Sequence, residues 1–348
     1  MHLIAKGTAM PELLALEVLW AIFALLLIVG ACELFTNGIE WFGRKRHLSE
    51  GAVGSVLAAV GTALPETVVP IVAILMVGGK GGHDVGIGSI LGAPFMLTTL
   101  AFFVTGLSVV LFARRRPSGL AMSVNTRVLR RDVATFIAVY AIAVACARVP
   151  FHWLKAVFAV LLVLGYGVYV VLHFRDEKGE PEETHELRSL YFGWGSLDGT
   201  PRLRYTVVQT FTALAAIFLG AHLFVQKLDH ICVQLGANER LLALLIVPIA
   251  TELPEKLNSI LWVRQGKDTL ALGNITGAMV FQSCIPAAVG ILFTDWELSP
   301  TDLASVTVAL VSGLVLYLSL LRTGRLSPFV LLLGLAGYAV FLLVAFGG

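Results

Sequence analysis

Charge is scarce in this chain. Asp, Glu, Lys and Arg make up 14% of 348 residues against 57% hydrophobic ones, and the mean hydropathy is +0.85. A water-soluble domain carries far more charge on its surface, so a soluble globular fold is excluded. Cysteine is also sparse. Cys32, Cys146, Cys232 and Cys284 stand singly, without a C-x-x-C pair or a Cys/His cluster, which argues against zinc or a redox pair and leaves them as small buried residues. There is no H-E-x-x-H helix and no nucleophile–base pair, so an intramembrane enzyme is not expected. No basic tract is interleaved with aromatics, which removes nucleic acid as a partner. The net charge of +2 identifies no partner, and nothing points to an obligate protein partner or a resident cofactor. Lys6 alone precedes the first apolar run and Cys32-Glu33 follows it without an A-x-A site, so no cleavable signal peptide is expected.

What the sequence does have is long apolar runs. Each is long enough to cross a hydrocarbon core of roughly 30 Å as a helix of about 20 residues. Breaks at charged or Gly/Pro-rich stretches predict ten spans near 13–33, 52–76, 85–112, 132–147, 153–173, 205–226, 240–262, 269–293, 303–321 and 327–346. The expected fold is an all-α polytopic membrane protein of about ten transmembrane helices. Its longest connection, residues 175–204, is polar and rich in Glu. Eighteen Lys and Arg fall in connections after odd-numbered spans and six on the opposite side. The positive-inside rule then predicts both termini outside and the long central loop in the cytoplasm, in a bacterial plasma (inner) membrane.

The chain also contains an internal repeat. Glu33-Leu34-Phe35 matches His222-Leu223-Phe224, and Thr62-Ala63-Leu64-Pro65-Glu66 matches Thr251-Glu252-Leu253-Pro254-Glu255, all displaced by 189 residues (222 − 33 and 251 − 62). Gly88-Ser89-Ile90-Leu91-Gly92-Ala93 matches Gly273-Asn274-Ile275-Thr276-Gly277-Ala278 at 185 (273 − 88). Chance readily matches Leu and Ala between apolar helices, but not a buried T-x-L-P-E at corresponding places. Five spans per copy is an odd number, so the second copy enters the membrane from the opposite side. The expected organisation is two inverted five-helix repeats, 1–174 and 205–348, joined by the loop 175–204, with substrate held near the midplane where the repeats meet.

The repeated motif has cation chemistry. A carboxylate inside an apolar span is costly and marks Glu66 and Glu255 as functional candidates. Pro65 cannot donate to the carbonyl of Gly61, nor Pro254 to that of Ala250, so each frees a carbonyl oxygen about one turn away. Thr62 and Thr251, four residues before each Glu, add hydroxyl oxygens on the same face. Carboxylate, hydroxyl and carbonyl oxygens on two facing helices make the ligand set of a hard cation such as Ca²⁺. The alternative is that Leu-Pro merely kinks two helices. The G-x-x-x-G spacing of Gly88/Gly92 and Gly273/Gly277 reads as close helix packing.

G-T-A-L-P-E at Gly61–Glu66, A-T-E-L-P-E at Ala250–Glu255 and G-N-I-T-G-A at Gly273–Ala278 resemble the two signature repeats of sodium/calcium exchangers, in the calcium/cation antiporter superfamily. The resemblance extends over both repeats and the ten-span layout. It implies an alternating-access antiporter with Glu66 and Glu255 as central cation ligands and Thr62 and Thr251 as accessory ones. Gln282 stands where the family has a polar ligand. The departures lie around the pocket. Ala63 and Glu252 replace a Ser after each Thr, Ala93 and Ala278 replace further Ser residues, and Leu97 stands at the first-copy counterpart of Gln282. Hydroxyls at which the family binds Na⁺ are lost, so coupling to H⁺ or a reduced Na⁺ stoichiometry is expected.

Glu252 lies three residues before Glu255, on one helix face, and is counted with the candidate metal-site residues. Lys256, at i+4 from Glu252, is placed to neutralise it; if it points elsewhere, Glu252 becomes a candidate proton carrier. Glu33 and His222 read as anchors between neighbouring spans or as a pH-sensitive gate. Asp295, Glu297 and Asp302 read as a solvated acidic loop or a weak cation funnel. The function expected is exchange of Ca²⁺, or a related divalent cation, for Na⁺ or H⁺. A cation channel or uniporter using the same Glu pair is the alternative.

Overall fold

The computed structural model describes residues 4–45, 64–176, 189–193 and 201–347. Among them there is no strand and there are eleven helices: α1 (Ile4–Lys45), α2 (Leu64–Val77), α3 (Gly79–Phe112), α4 (Thr126–Ala145), α5 (His152–Asp176), α6 (Leu203–Leu235), α7 (Glu239–Thr251), α8 (Leu253–Arg264), α9 (Asp268–Phe293), α10 (Pro300–Thr323) and α11 (Pro328–Phe346). An all-helical chain is what hydrocarbon demands, because each helix satisfies its own backbone. Of these helices α1, α3, α5, α6, α9, α10 and α11 are long and apolar enough to cross a membrane. The other expected spans depart from that standard for visible reasons. The run 52–76 is described only from Leu64, the run 132–147 begins earlier with Arg127, Arg130 and Arg131 already helical, and the run 240–262 is broken into α7 and α8 at Glu252. The first helix also outruns its predicted 13–33 at both ends.

Local chemistry sets the helix ends. Asn125 caps α4 by accepting the Val128 N–H at 3.3 Å, and Ser299 and Asp302 form a capping box at the start of α10. Gly236 and Gly324, with φ of 60° and 63°, close α6 and α10 in the left-handed conformation.

The membrane-length helices differ in how far they are buried. In the apolar windows of α1 and α11 17% of residues are buried, against 61% in α3 and 67% in α9. α3 and α9 carry the two copies of the glycine motif, so the repeated signature lies on the most enclosed of the seven membrane-length helices.

The chain forms two compact units, 1–82 with 178–239 and 83–177 with 240–348. Each therefore takes helices from both halves of the sequence. In the first, α1 and α6 pack along their length and run antiparallel. Gly220 lies against Ala24 and Ile28, Gly38 against Thr210, and Glu17 bonds Lys227 at 2.8 Å and His230 at 3.3 Å. At the other end Gln209 donates to Leu34 O and Asn37 Oδ1 (2.8 and 2.9 Å) and accepts the Phe192 N–H at 2.8 Å, which ties the segment 189–193 to both helices.

In the second unit α9 packs against α4, α5 and α8, and α3 against α8 and α11. Gly88 and Gly92 of α3 rest on the Arg240 and Leu244 carbonyls of α7, where a Cβ has no room. The Leu244 carbonyl is the one that Pro248, lacking an N–H, leaves free. Close packing thus accounts for the first glycine pair. It does not account for the second: among the described residues no atom lies within 4 Å of a Cβ built at Gly273, and at Gly277 only the Tyr169 hydroxyl does, at 3.9 Å.

Two arginines clamp the starts of the central helices. Arg240 pairs with Asp84 at 2.5 Å and Asp302 at 3.0 Å. Arg116 grips both oxygens of Asp268 at 2.7 Å and also donates to the carbonyls of Val263 and Gly119, with both charged side chains fully buried. Asp302 is buried as well, which corrects its reading as part of a solvated loop; Asp295 and Glu297 are exposed. Between them Trp296 takes φ 50°, buries its ring over Gly290 and donates its indole N–H to Ala143 O at 2.9 Å.

Candidate functional site

The second Thr-x-Leu-Pro-Glu motif breaks its helix. Glu252 leaves helical geometry at φ −89°, ψ 5°, and α8 restarts with Pro254 in its first turn. The chain is kinked there, not severed. Glu252 N donates to Pro248 O and Lys256 N to Glu252 O, both at 3.1 Å. Two prolines six residues apart remove two donors, to Leu244 O and Ala250 O, and their rings force the bend.

The side chains around this kink are buried. Thr251 donates its hydroxyl to Val247 O at 3.0 Å, which leaves its oxygen lone pairs open as acceptors. Glu252 is fully buried and its Oε2 lies 3.1 Å from Lys256 Nζ, which also reaches Pro248 O at 3.4 Å. Lys256 therefore points at Glu252 and does not turn away from it. The backbone of Glu255 sits in the first turn of α8; its side chain lies outside the described residues.

α8 packs against α9. Gln282 on α9 is 2% exposed, and its Oε1 has no hydrogen-bond partner among the described residues. Pro286, four residues on, cannot donate to the carbonyl of Gln282 itself. The amide oxygen and the backbone oxygen of one residue are thus both left to accept.

In the first unit Glu66 lies in the first turn of α2, buried with Pro65 at its side. Pro70 stands four residues after Glu66 and frees the Glu66 carbonyl, as Pro286 does for Gln282. This i, i+4 proline behind a candidate ligand escaped the sequence reading, although it is visible there. Beyond Pro70 the helix widens into a π turn, Ala73–Val77, and ends at Gly78. Thr62 lies outside the described residues.

Glu33 and His222 belong to α1 and α6 of the first unit. Glu33 is exposed and accepts from the Tyr191 hydroxyl at 3.1 Å, whereas His222 lies 3.1 Å from the side-chain nitrogen of Gln226. The antiparallel register set by Gly220 on Ala24 and Ile28 puts His222 opposite the middle of α1, well short of Glu33. They do not form one gate contact.

One acidic group went unnoticed in the sequence. Asp132, two turns into α4, is fully buried and accepts the Thr276 hydroxyl at 3.0 Å. It opens the expected span 132–147, directly after Arg130 and Arg131, and nothing in the sequence singles it out.

A family model described as sodium/calcium exchanger protein matches residues 16–175 and 205–347. An uncharacterized membrane protein of Methanocaldococcus jannaschii is 24% identical over 306 residues, 88% of this chain and 90% of that protein. Among solved structures, that of an H⁺/Ca²⁺ exchanger, CAX, has a TM-score of 0.69 at 18% identity, over 100% of this chain and 88% of that one. The sodium-calcium exchanger NCX_Mj, soaked with Na⁺ and Sr²⁺, has a TM-score of 0.57 at 21% identity, over 96% of this chain and 99% of that one. At these identities the likeness is one of fold, and it spans nearly the entire chain.

Proposed function

The chain belongs to the sodium/calcium exchanger protein family and is an integral-membrane cation antiporter, not an enzyme, and from this premise we propose that it exchanges Ca²⁺ or a related divalent cation for H⁺ or Na⁺ at a midplane carboxylate site. Glu66 and Glu255 bind the cation, with Thr62, Thr251 and Gln282 as further oxygen ligands. Glu252 and Lys256 compensate each other's charge.

The observation that carries this reading is the Glu252–Lys256 pair at 3.1 Å. With Glu252 neutralised, the repeated motif retains two carboxylates, Glu66 and Glu255, which match one divalent ion. The oxygens freed by Pro70 and Pro286 add neutral ligands of the kind hard cations take. Flux of ⁴⁵Ca²⁺ into proteoliposomes, with Na⁺, K⁺ and H⁺ gradients imposed in turn, tests it. Glu66→Gln and Glu255→Gln are each expected to abolish flux, and full transport in both refutes the assignment. Single-channel currents would favour a channel instead.

For the counter-ion, Ala63, Ala93, Ala278 and Leu97 take away oxygens where the family binds Na⁺, which favours H⁺. A Na⁺ gradient that drives Ca²⁺ uptake at clamped pH would exclude that version. The topology belongs to the same proposal: two inverted repeats, 1–174 and 205–348, both termini outside, the loop 175–204 cytoplasmic, in a bacterial inner membrane. The antiparallel run of α1 and α6, equivalent helices at the 189-residue offset, supports the inversion. Impermeant labelling of single cysteines in the loop, from each side of sealed vesicles, decides the orientation.

A further inference from the structure

Asp132 is a buried carboxyl that cation binding, as proposed above, does not use. It projects from α4 into the contact with α5 and α9, where three groups meet it. The Thr276 hydroxyl lies 3.0 Å from its Oδ2, the Tyr169 hydroxyl of α5 shares a hydrogen bond with it, and the Arg131 guanidinium stands 3.6 Å from its Oδ1. Two of these connections end on the second signature, Gly273–Ala278. Thr276 is part of it, and the Tyr169 hydroxyl hangs over Gly277, 3.9 Å from where a Cβ would be. Arg131, with a fifth of its side chain exposed, also lies over the Tyr169 ring at 5.8 Å and connects the cluster to solvent.

The Thr276 hydroxyl has a single hydrogen and two acceptors at equal distance: Asp132 Oδ2 and Leu272 O, each at 3.0 Å. It cannot serve both fully. An ionised Asp132 only accepts, and as the charged acceptor it takes the hydrogen. A protonated Asp132 becomes a donor on the same oxygen. It then gives its hydrogen to Thr276 Oγ1, and the threonine hydrogen turns to Leu272 O. That second bond is the i−4 back-bond by which a threonine bends its own helix.

We propose that Asp132 is a proton-binding residue of the exchanger, whose charge state reaches the second signature through the hydroxyls of Thr276 and Tyr169. The bound ligand is a single proton taken from water, and no other bond is made or broken. This inference rests on the antiporter reading and assigns proton sensitivity to a carboxyl that is not among the proposed cation ligands. The groups around Asp132 favour such a role. Among the described residues, the titratable and charged groups facing it include Tyr169 from α5 and Arg131 of its own helix, while α9 presents the Thr276 hydroxyl. α10 packs along the Arg130 side of α4, where Arg130 donates to Leu320 O and the titratable groups at that end are Tyr317 and Arg322. A buried carboxyl among hydroxyl neighbours in a membrane protein is a functional candidate by default.

The test is ⁴⁵Ca²⁺ uptake by the full-length protein in proteoliposomes at clamped membrane potential, followed as a function of pH. Wild type is expected to change uptake about tenfold for each pH unit on the steep limb, as one titrating group requires. Asp132→Asn is expected to flatten the profile to less than about twofold over the same range, and Asp132→Glu to restore the slope. Thr276→Val removes a donor to the ionised form, so the midpoint moves to higher pH, by about one unit. A flat wild-type profile, an Asp132→Asn profile that matches wild type, or an unmoved midpoint in Thr276→Val overturns the inference. Thr276→Val decides the matter if Asp132→Asn does not fold. Uptake that survives Glu66→Gln and Glu255→Gln instead brings down the site assignment, so the two failures are distinguishable.

Discussion

Gly88 and Gly92 on α3 and Gly273 and Gly277 on α9 hold equivalent places in the repeat, yet they meet different surroundings. The first pair is pressed onto the carbonyls of Arg240 and Leu244. The second has open space or a lone hydroxyl above it among the described residues. The surroundings of the two Thr-x-Leu-Pro-Glu motifs diverge as well. The second has Glu252 and Lys256 where the first, 189 residues earlier, has Ala63 and Thr67. One copy of the glycine signature is used for helix packing, whereas the other faces the Tyr169 hydroxyl and bonds Asp132 through Thr276, and the second Thr-x-Leu-Pro-Glu motif carries the Glu252–Lys256 pair. A repeat in sequence therefore does not imply two interchangeable half-sites. Small residues license close approach in one half and leave room for polar chemistry in the other.

The largest test of this asymmetry lies at the helix starts. Arg116–Asp268 on α9 is sealed from solvent, whereas the side chains of Arg240 and Asp84 on α3 are 19% exposed. Arg116→Gln is expected to cost about 3–5 kcal/mol by stranding Asp268 in the interior, and Arg240→Gln about 1–2 kcal/mol, read as loss of thermal stability in detergent. Equal losses would erase the distinction.

The kink comes next. Lys256→Thr leaves Glu252 buried without its cation and should cost roughly 2–3 kcal/mol, while Glu252→Ala with Lys256→Thr, which copies the first motif, should cost less than about 1 kcal/mol. A double variant as damaged as the single one would mean that the pair is not coupled. The glycines complete the comparison. Gly92→Ala forces a Cβ into the Leu244 backbone and is expected to cost about 1–3 kcal/mol, whereas Gly277→Ala should stay within about 0.5 kcal/mol of wild type in stability.

Much of this was legible in the sequence, for physical reasons. Apolar runs report helices because hydrocarbon leaves the backbone no alternative, and the duplicated Leu-Pro-Glu marked the kink that α7 and α8 show. Hydropathy failed where charge is buried. Arg116, Arg130 and Asp132 lower any window average, and a sequence gives no sign that Asp268, Leu320 O and Thr276 are waiting for them. The start of α4 was therefore read as loop, and its one acidic residue was missed. The spacing G-x-x-x-G predicts that a helix can be approached closely, not that it is. Pro70 and Pro286 are a different case, because the rule that a proline frees the carbonyl four residues before it applies to any sequence.

Trp296 has a practical consequence. Its ring is wholly enclosed, lies against Gly290 of α9, which Ile90 of α3 also approaches, and is tethered by its N–H to Ala143 of α4. Trp20 and Trp153, by contrast, are 44% and 67% exposed. The indole at 296 is thus a native optical gauge at the junction of the two central helices. Its emission maximum, followed during cation addition in a variant with the other tryptophans replaced, reports whether α3 and α9 move as one body or part.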